Sequence, residues 1–302
     1  MRRNRTQPFT PEPWRLYDGD VDAAAREEFP PVRIELVRHT DGGREQFAMQ
    51  RRIAYRDRHL GELLAPADIR TFLSDLTSVP ALFTWLVPKT GRHLPATLLH
   101  DGLIHPPENQ TYTSTEGHTV RRVEADRVLR DAMGDAGTAL IRRWLVWSAV
   151  ATATMLQGSG TGWSKGVEWY YRGIAVLTLC LILVLGIWAS LDLFDVTGIP
   201  KLPWMGDRPW WVELVGGLSG AVVIPLLLAA LWLRFWIAGA VVGVSVAALL
   251  YVEVALLALT AIYQGAEWAT ARKPKIMLLL VVVGAAGALA LFLLFILAFF
   301  HL

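Results

Sequence analysis

The sequence predicts an α+β soluble domain, with N-terminal strands and then a helix cluster, followed by an all-α transmembrane bundle of four helices. Three observations carry this. Charge concentrates in residues 1–172, whereas residues 173–302 are mostly Leu, Val, Ala, Ile, Gly and Trp. Period-two alternation opens the first half, and helical patterns follow it. Four long apolar runs occupy the second half.

The soluble half begins with residues 1–30, rich in Pro, Arg, Asp and Glu, which read as a disordered tail. The domain itself spans residues 31–157. Val32–Val37 alternates as a strand, Asp41, Gly42 and Gly43 supply a turn, and Gln46–Tyr55 returns as a second strand. Extended chain continues to Phe72. Pro80 then opens a short apolar helix ending near Pro88. A second helix covers Pro95–Ile104. A third runs from Val120 to Met133, capped by Thr119 and ended by Gly134. A fourth runs from Thr138 to about Met155, with Arg142 and Arg143 exposed. Residues 158–172, with four glycines among them, read as a linker.

Residues 173–302 form the membrane region. The spans are Ile174–Leu191, Leu214–Leu233, Phe235–Tyr263 and Ile276–Phe300, each near the length a bilayer requires. Trp163, Trp169, Trp204, Trp210, Trp211 and Trp268 stand near their ends, where an amphipathic ring favours the headgroup region. Trp232, Arg234 and Trp236 mark a tight turn between spans two and three. Gly216 with Gly220, and Gly239 with Gly243, are small-xxx-small spacings suited to close helix approach and to a homo-oligomer through these spans. Glu253 is the one ionisable residue deep in a span. It reads as an ion site or as a carboxyl near a helix end, and with no basic partner it does not define a transporter.

Composition excludes several classes. A net charge of +2 spread along 302 residues gives no nucleic-acid footprint. The one cysteine, Cys180, allows neither an intramolecular disulfide nor a Cys-rich metal site. The basic N-terminus lacks the apolar core of a signal peptide. Lys201, Arg208, Arg272, Lys273 and Lys275 favour their own side of the membrane as cytoplasmic. Arg142, Arg143, Lys165 and Arg172, with no export signal, favour a cytoplasmic N-terminal domain, and that orientation is adopted.

The chemistry-bearing segment is "LLHDGLIH", Leu98–His105, where His100 and Asp101 interrupt an apolar helix. "FLSDLTSVP" (Phe72–Pro80) precedes it and "EADRVLRDAMGDAG" (Glu124–Gly137) follows. Together, over about residues 45–155, these blocks resemble the bacterial and bacteriophage domain-of-unknown-function family DUF1353. That resemblance implies a bacterial, phage-associated origin and hence the bacterial inner membrane; it brings no established activity. Ser74 stands where the family usually has Thr, and Ile104 where it usually has Tyr.

The His-Asp pair on one helix, with an Asp on the next, is faintly similar to secreted phospholipases A₂. That similarity implies His100 as the base that activates water, Asp126 as the carboxylate that orients its ring, and Asp101 as a ligand for Ca²⁺. A lipid in the bilayer would be the substrate, in a hydrolase of the esterase class. Asp75 reads either as a second carboxylate beside His100 or as a helix cap; Ser78 reads as a cap. The calcium loop and disulfides of those enzymes have no counterpart here. The competing reading is a non-catalytic binding or structural module tethered to the membrane, in which a buried His100–Asp126 bond holds the fold. Arg127 is expected to pair with an acid. His93, His105 and His118 read as surface residues.

Overall fold

The computed structural model describes residues 10–20, 30–41, 44–74, 76, 88, 90–104 and 110–272. The chain divides into two units, residues 1–250 and 251–302.

The first unit opens with a 3-10 turn, Pro13–Arg15, and seven short strands. These are β1 (Leu16–Asp18), β2 (Leu36–Asp41), β3 (Arg44–Met49), β4 (Ile53–Asp57), β5 (Gly61–Ala65), β6 (Leu73–Ser74) and β7 (Thr113–Ser114). They make two antiparallel sheets, β1-β4-β5-β7 and β2-β3-β6. The expected hairpin is present but shifted. Its first strand is Leu36–Asp41, paired from Leu36–Met49 to Asp41–Arg44, so the connection is the two residues 42 and 43. The expected long return strand is broken after Met49. Its second half, β4, pairs with β5 instead. Gln50, Arg51 and Arg52 turn the chain from one sheet to the other, and Arg51 and Arg52 are held there by Asp18 and Asp20.

Helices α1 (Leu94–Leu103) and α2 (Arg122–Asp135) lie on the sheet, and α3 (Leu140–Gln157) packs against α2. The sequence places the α2 start at Thr119, but the N-cap is Arg121, whose backbone N–H donates to the Glu124 carboxylate. Gly134 lies inside α2 rather than beyond it. The helix expected from Pro80 to Pro88 falls outside the described residues. Ile53, Tyr55 and Leu63 from the sheet meet Leu98, Leu99, Leu103, Val128, Leu129 and Met133 from the helices, all essentially without exposure. Burial of such side chains contributes about 1.5–3 kcal/mol each.

Three further helices follow: α4 (Lys165–Leu193), α5 (Trp210–Ala229) and α6 (Trp236–Arg272), the last two separated by a 3-10 turn, Ala230–Phe235. Helix α4 begins inside the segment read as a linker. Two stretches, Lys165–Leu193 and Trp210–Leu249, are long and apolar enough to cross a membrane. Four separate spans are not established. The second stretch folds back on itself: Leu233 has non-helical backbone angles, and a Cβ at Gly243 would fall 2.9 Å from Pro225 Cβ. The fourth expected span lies outside the described residues, as does the Glu253 side chain.

The glycine pairs serve contacts within the chain. A Cβ at Gly216 would meet the Trp204 carbonyl oxygen at 2.4 Å, and one at Gly220 would meet Trp204 Nε1 at 3.0 Å. Gly239 receives the Trp232 ring. The loop after α4 is thereby seated on α5, and Trp232 is seated on α6. Trp232 Nε1–H also donates to Thr178 Oγ1 on α4 at 3.0 Å.

One apolar core runs from the sheets through Val146, Trp147, Ala151 and Met155 of α3 to Tyr171 and Ala175 of α4. It ends at Trp232, Phe235 and Ala238 around the turn. The strand-containing domain is therefore packed onto the base of the apolar helices.

Candidate functional site

The candidate site lies where α1 crosses α2. Helix α1 approaches the sheet closely: a Cβ at Gly102 would fall 2.6 Å from Ala65 Cβ. Thr111 Oγ1 also donates to the Gly102 carbonyl at 2.6 Å. That contact sets the rotation of α1, which turns His100 toward α2. His100 Nε2–H donates to Asp126 Oδ1 at 2.9 Å, with side-chain exposures of 6% and 2%. The bond fixes the tautomer and leaves Nδ1 as the nitrogen able to take a proton. Asp126 Oδ2 is buried and has no hydrogen-bond partner among the described residues. Arg122, one turn earlier on α2, feels the Asp126 charge; burial pulls its guanidinium below the ordinary range.

Asp101 points elsewhere. Its Oδ2 accepts from Ser74 Oγ at 2.6 Å, and Ser74 Oγ accepts from the Leu76 N–H at 2.9 Å. Ser74 therefore keeps a hydroxyl at the position where the resemblance expects Thr, and that hydroxyl ties β6 to α1. The structure brings His100 and Asp126 together; Asp75 and Ser78 lie outside the described residues. Among the described residues no group of three His, Cys, Asp or Glu side chains could hold a metal ion. A Ca²⁺ ion takes six or more oxygens, and among the described residues Asp101 and the Ser74 hydroxyl do not supply that shell. Ile104 packs against the core beside α1.

Two polar networks lie near this pair, and the first supplies the acid expected for Arg127. Arg127 donates bidentately to Asp57, both contacts at 2.8 Å, and also to Asp131 at 3.3 Å. Asp57 in turn accepts from the His59 and Leu60 N–H groups. Burial pushes the Asp57 carboxyl up, but Arg127 and those amides outweigh it and hold it below its ordinary value. Asp135, wholly buried, accepts from Tyr55 Oη, from both terminal nitrogens of Arg58 and from the Glu12 N–H. Burial, then the Asp135 charge, pushes the Tyr55 phenol up. The spacing Asp126, Asp131, Asp135 puts successive carboxylates of α2 against α1, against its own arginines and against the β4–β5 hairpin. Asp131 and Asp135 stand in the quoted third block, and a helical projection of that block is the signal that separates them.

His93 corrects its expected surface position. It has no exposure, and its Nε2–H donates to the Pro88 carbonyl at 2.9 Å. Burial lowers its pKa. His118 is at the surface, beside Glu116.

With the two sheets, the helix cover and the buried His-Asp pair in view, the N-terminal part is an α+β domain with several buried polar pairs in its core. Residues 47–150 match the family described as protein of unknown function, DUF1353, so a domain of that family is present. No curated protein and no solved structure matches the chain.

Proposed function

We propose that this is a membrane-anchored protein whose DUF1353 domain is a non-catalytic binding or structural module mounted on the membrane helices, with His100–Asp126 as an internal latch. The observation that supports it is the shared core: Val146, Met155, Tyr171, Trp232 and Phe235 join the domain to the apolar helices in one cluster. The outward faces of those helices carry Leu177, Val184 and Ile187 at 63%, 58% and 53% exposure. A water-soluble protein rarely exposes such a continuous apolar surface, whereas lipid favours it. The proposed site is the bacterial inner membrane with the DUF1353 domain on the cytoplasmic side. Lys165, Arg172 and Arg234 stand at the domain end of α4 and the α5–α6 turn, against Lys201 and Arg208 in the loop between α4 and α5.

The test is fractionation. Full-length protein should stay in the membrane pellet through an alkaline carbonate wash and dissolve only in detergent. Release into the wash would refute the anchor.

The second reading is a His-Asp hydrolase. The Asp126 Oδ2, unpartnered among the described residues, favours it, since buried carboxylate oxygens are normally satisfied. In that reading His100 takes a proton from water, Asp126 stabilises the imidazolium, and the hydroxide attacks an ester carbonyl of a lipid. Turnover of mixed phospholipids by purified protein, lost in His100→Ala, would replace the latch with this reading.

A further inference from the structure

The segment joining α3 to α4 is short, glycine-rich and ringed by arginines drawn from three other elements. A Cβ at Gly158 would lie 3.4 Å from Arg172 Nη2, on α4. Arg122 Cβ, on α2, lies 3.7 Å from the corresponding position of Gly160, and Arg121 Nε lies 3.5 Å from that of Gly162. Arg234, on the α5–α6 turn, stands 5.6 Å over the Trp163 ring.

None of these four guanidiniums forms an ion pair with a carboxylate among the described residues. Arg172 donates to the Leu156 and Gln157 carbonyls, and Arg122 donates to Thr154 Oγ1. Elsewhere in the domain, Arg51, Arg52, Arg58, Arg127 and Arg130 are each matched to an aspartate. Three carboxylates stand nearby. Glu124 is engaged with the Arg121 backbone, Asp126 with His100, and Glu168 lies 3.4 Å from the Gly158 position. The surplus is positive.

The cluster also has a defined height. It sits at the start of α4, the first apolar stretch, with Trp169 67% exposed beneath the Arg172 guanidinium. Exposed tryptophan beside arginine is the composition of a headgroup layer. Arginine pairs with phosphate bidentately and keeps its charge at every cellular pH.

We propose that Arg121, Arg122, Arg172 and Arg234 form a binding site for the phosphate of an anionic phospholipid headgroup at the collar of the domain. This rests on the membrane-anchored reading above. The ligand chemistry, a phosphate with net negative charge, could also come from free phosphate; the position of Trp163 and Trp169 selects the lipid. A lipid held there would lock the domain against the bilayer surface.

The test uses full-length protein in a neutral detergent. Thermal unfolding is followed against short-chain phosphatidylglycerol, short-chain phosphatidylcholine and inorganic phosphate. Phosphatidylglycerol should raise the melting temperature in wild type. Its half-saturating concentration should rise about fivefold for each arginine removed, in Arg234→Gln and in Arg121→Gln/Arg234→Gln, but not in the remote control Arg70→Gln. Melting without lipid establishes that the variants are folded. An equal shift from phosphatidylcholine, an equal shift from inorganic phosphate, or an unchanged response in the double variant would each overturn the headgroup site. Protein that stays soluble without detergent would overturn the membrane anchor itself, and the lipid assignment with it. A detergent-requiring protein that ignores phosphatidylglycerol overturns the headgroup site alone.

Discussion

His100 Nε2 and Asp126 Oδ1 are 2.9 Å apart and almost wholly shielded from water, and their bond joins α1 to α2. Removing one partner leaves the other buried without compensation. His100→Ala should therefore cost about 3 kcal/mol, a drop of roughly 6–12 °C in the melting temperature. His100→Ala melting like wild type would argue against a structural bond.

Arg127 and Asp57 form a bidentate ion pair with the Asp57 side chain unexposed. Arg127→Ala should cost about 3 kcal/mol by leaving that carboxylate buried alone. Because the folded Asp57 pKa lies below its unfolded value, the stabilisation is full above the unfolded pKa near 4 and is lost as pH falls through the folded one. Denaturant midpoints measured from pH 7 down to pH 3 should hold and then decline in wild type. The decline should be shallower in Asp57→Asn.

His93 gives a second pH window. Burial lowers its folded pKa below the unfolded value of about 6.5. The unfolded chain then binds more protons below pH 6.5, so stability is full above that pH and falls as the pH drops toward the folded pKa. In His93→Gln the loss between pH 6.5 and 5 should shrink; an identical slope would remove His93 as its source.

Gly102 and Gly243 test packing in the two halves. A methyl at Gly102 meets Ala65 Cβ, and one at Gly243 meets Pro225 Cβ. Gly102→Ala and Gly243→Ala should each cost about 1–3 kcal/mol from overpacking. Differential scanning in detergent would read both, and neutrality at Gly243 would contradict the folded-back α5–α6 arrangement.

The sequence made the helical part of the domain legible, because Leu98, Leu99, Val128 and Leu129 recur at helical spacing and belong to one core. It also placed Asp126 beside His100, through the phospholipase A₂ similarity rather than through spacing. The strand register was not legible. Met49 and Ile53 share an alternation but belong to different sheets, and the break between them depends on Asp18 and Asp20 holding Arg51 and Arg52. The Ser74 contact of Asp101 was not legible for a similar reason: Ser74 lies 27 positions away, on a strand of two residues. The small-xxx-small glycines were seen but their partners were not. Trp204 and Trp232 fill them from within the chain, which no local pattern reveals.

The most direct measurement of the central account is a double-mutant cycle on His100→Gln and Asp126→Asn in full-length protein, read by thermal unfolding and by phospholipid hydrolysis on the same samples. A latch predicts a coupling energy of about 1–3 kcal/mol between the two sites and no lipid turnover in wild type or any variant. Additive stability effects, together with wild-type turnover abolished by His100→Gln, would contradict it.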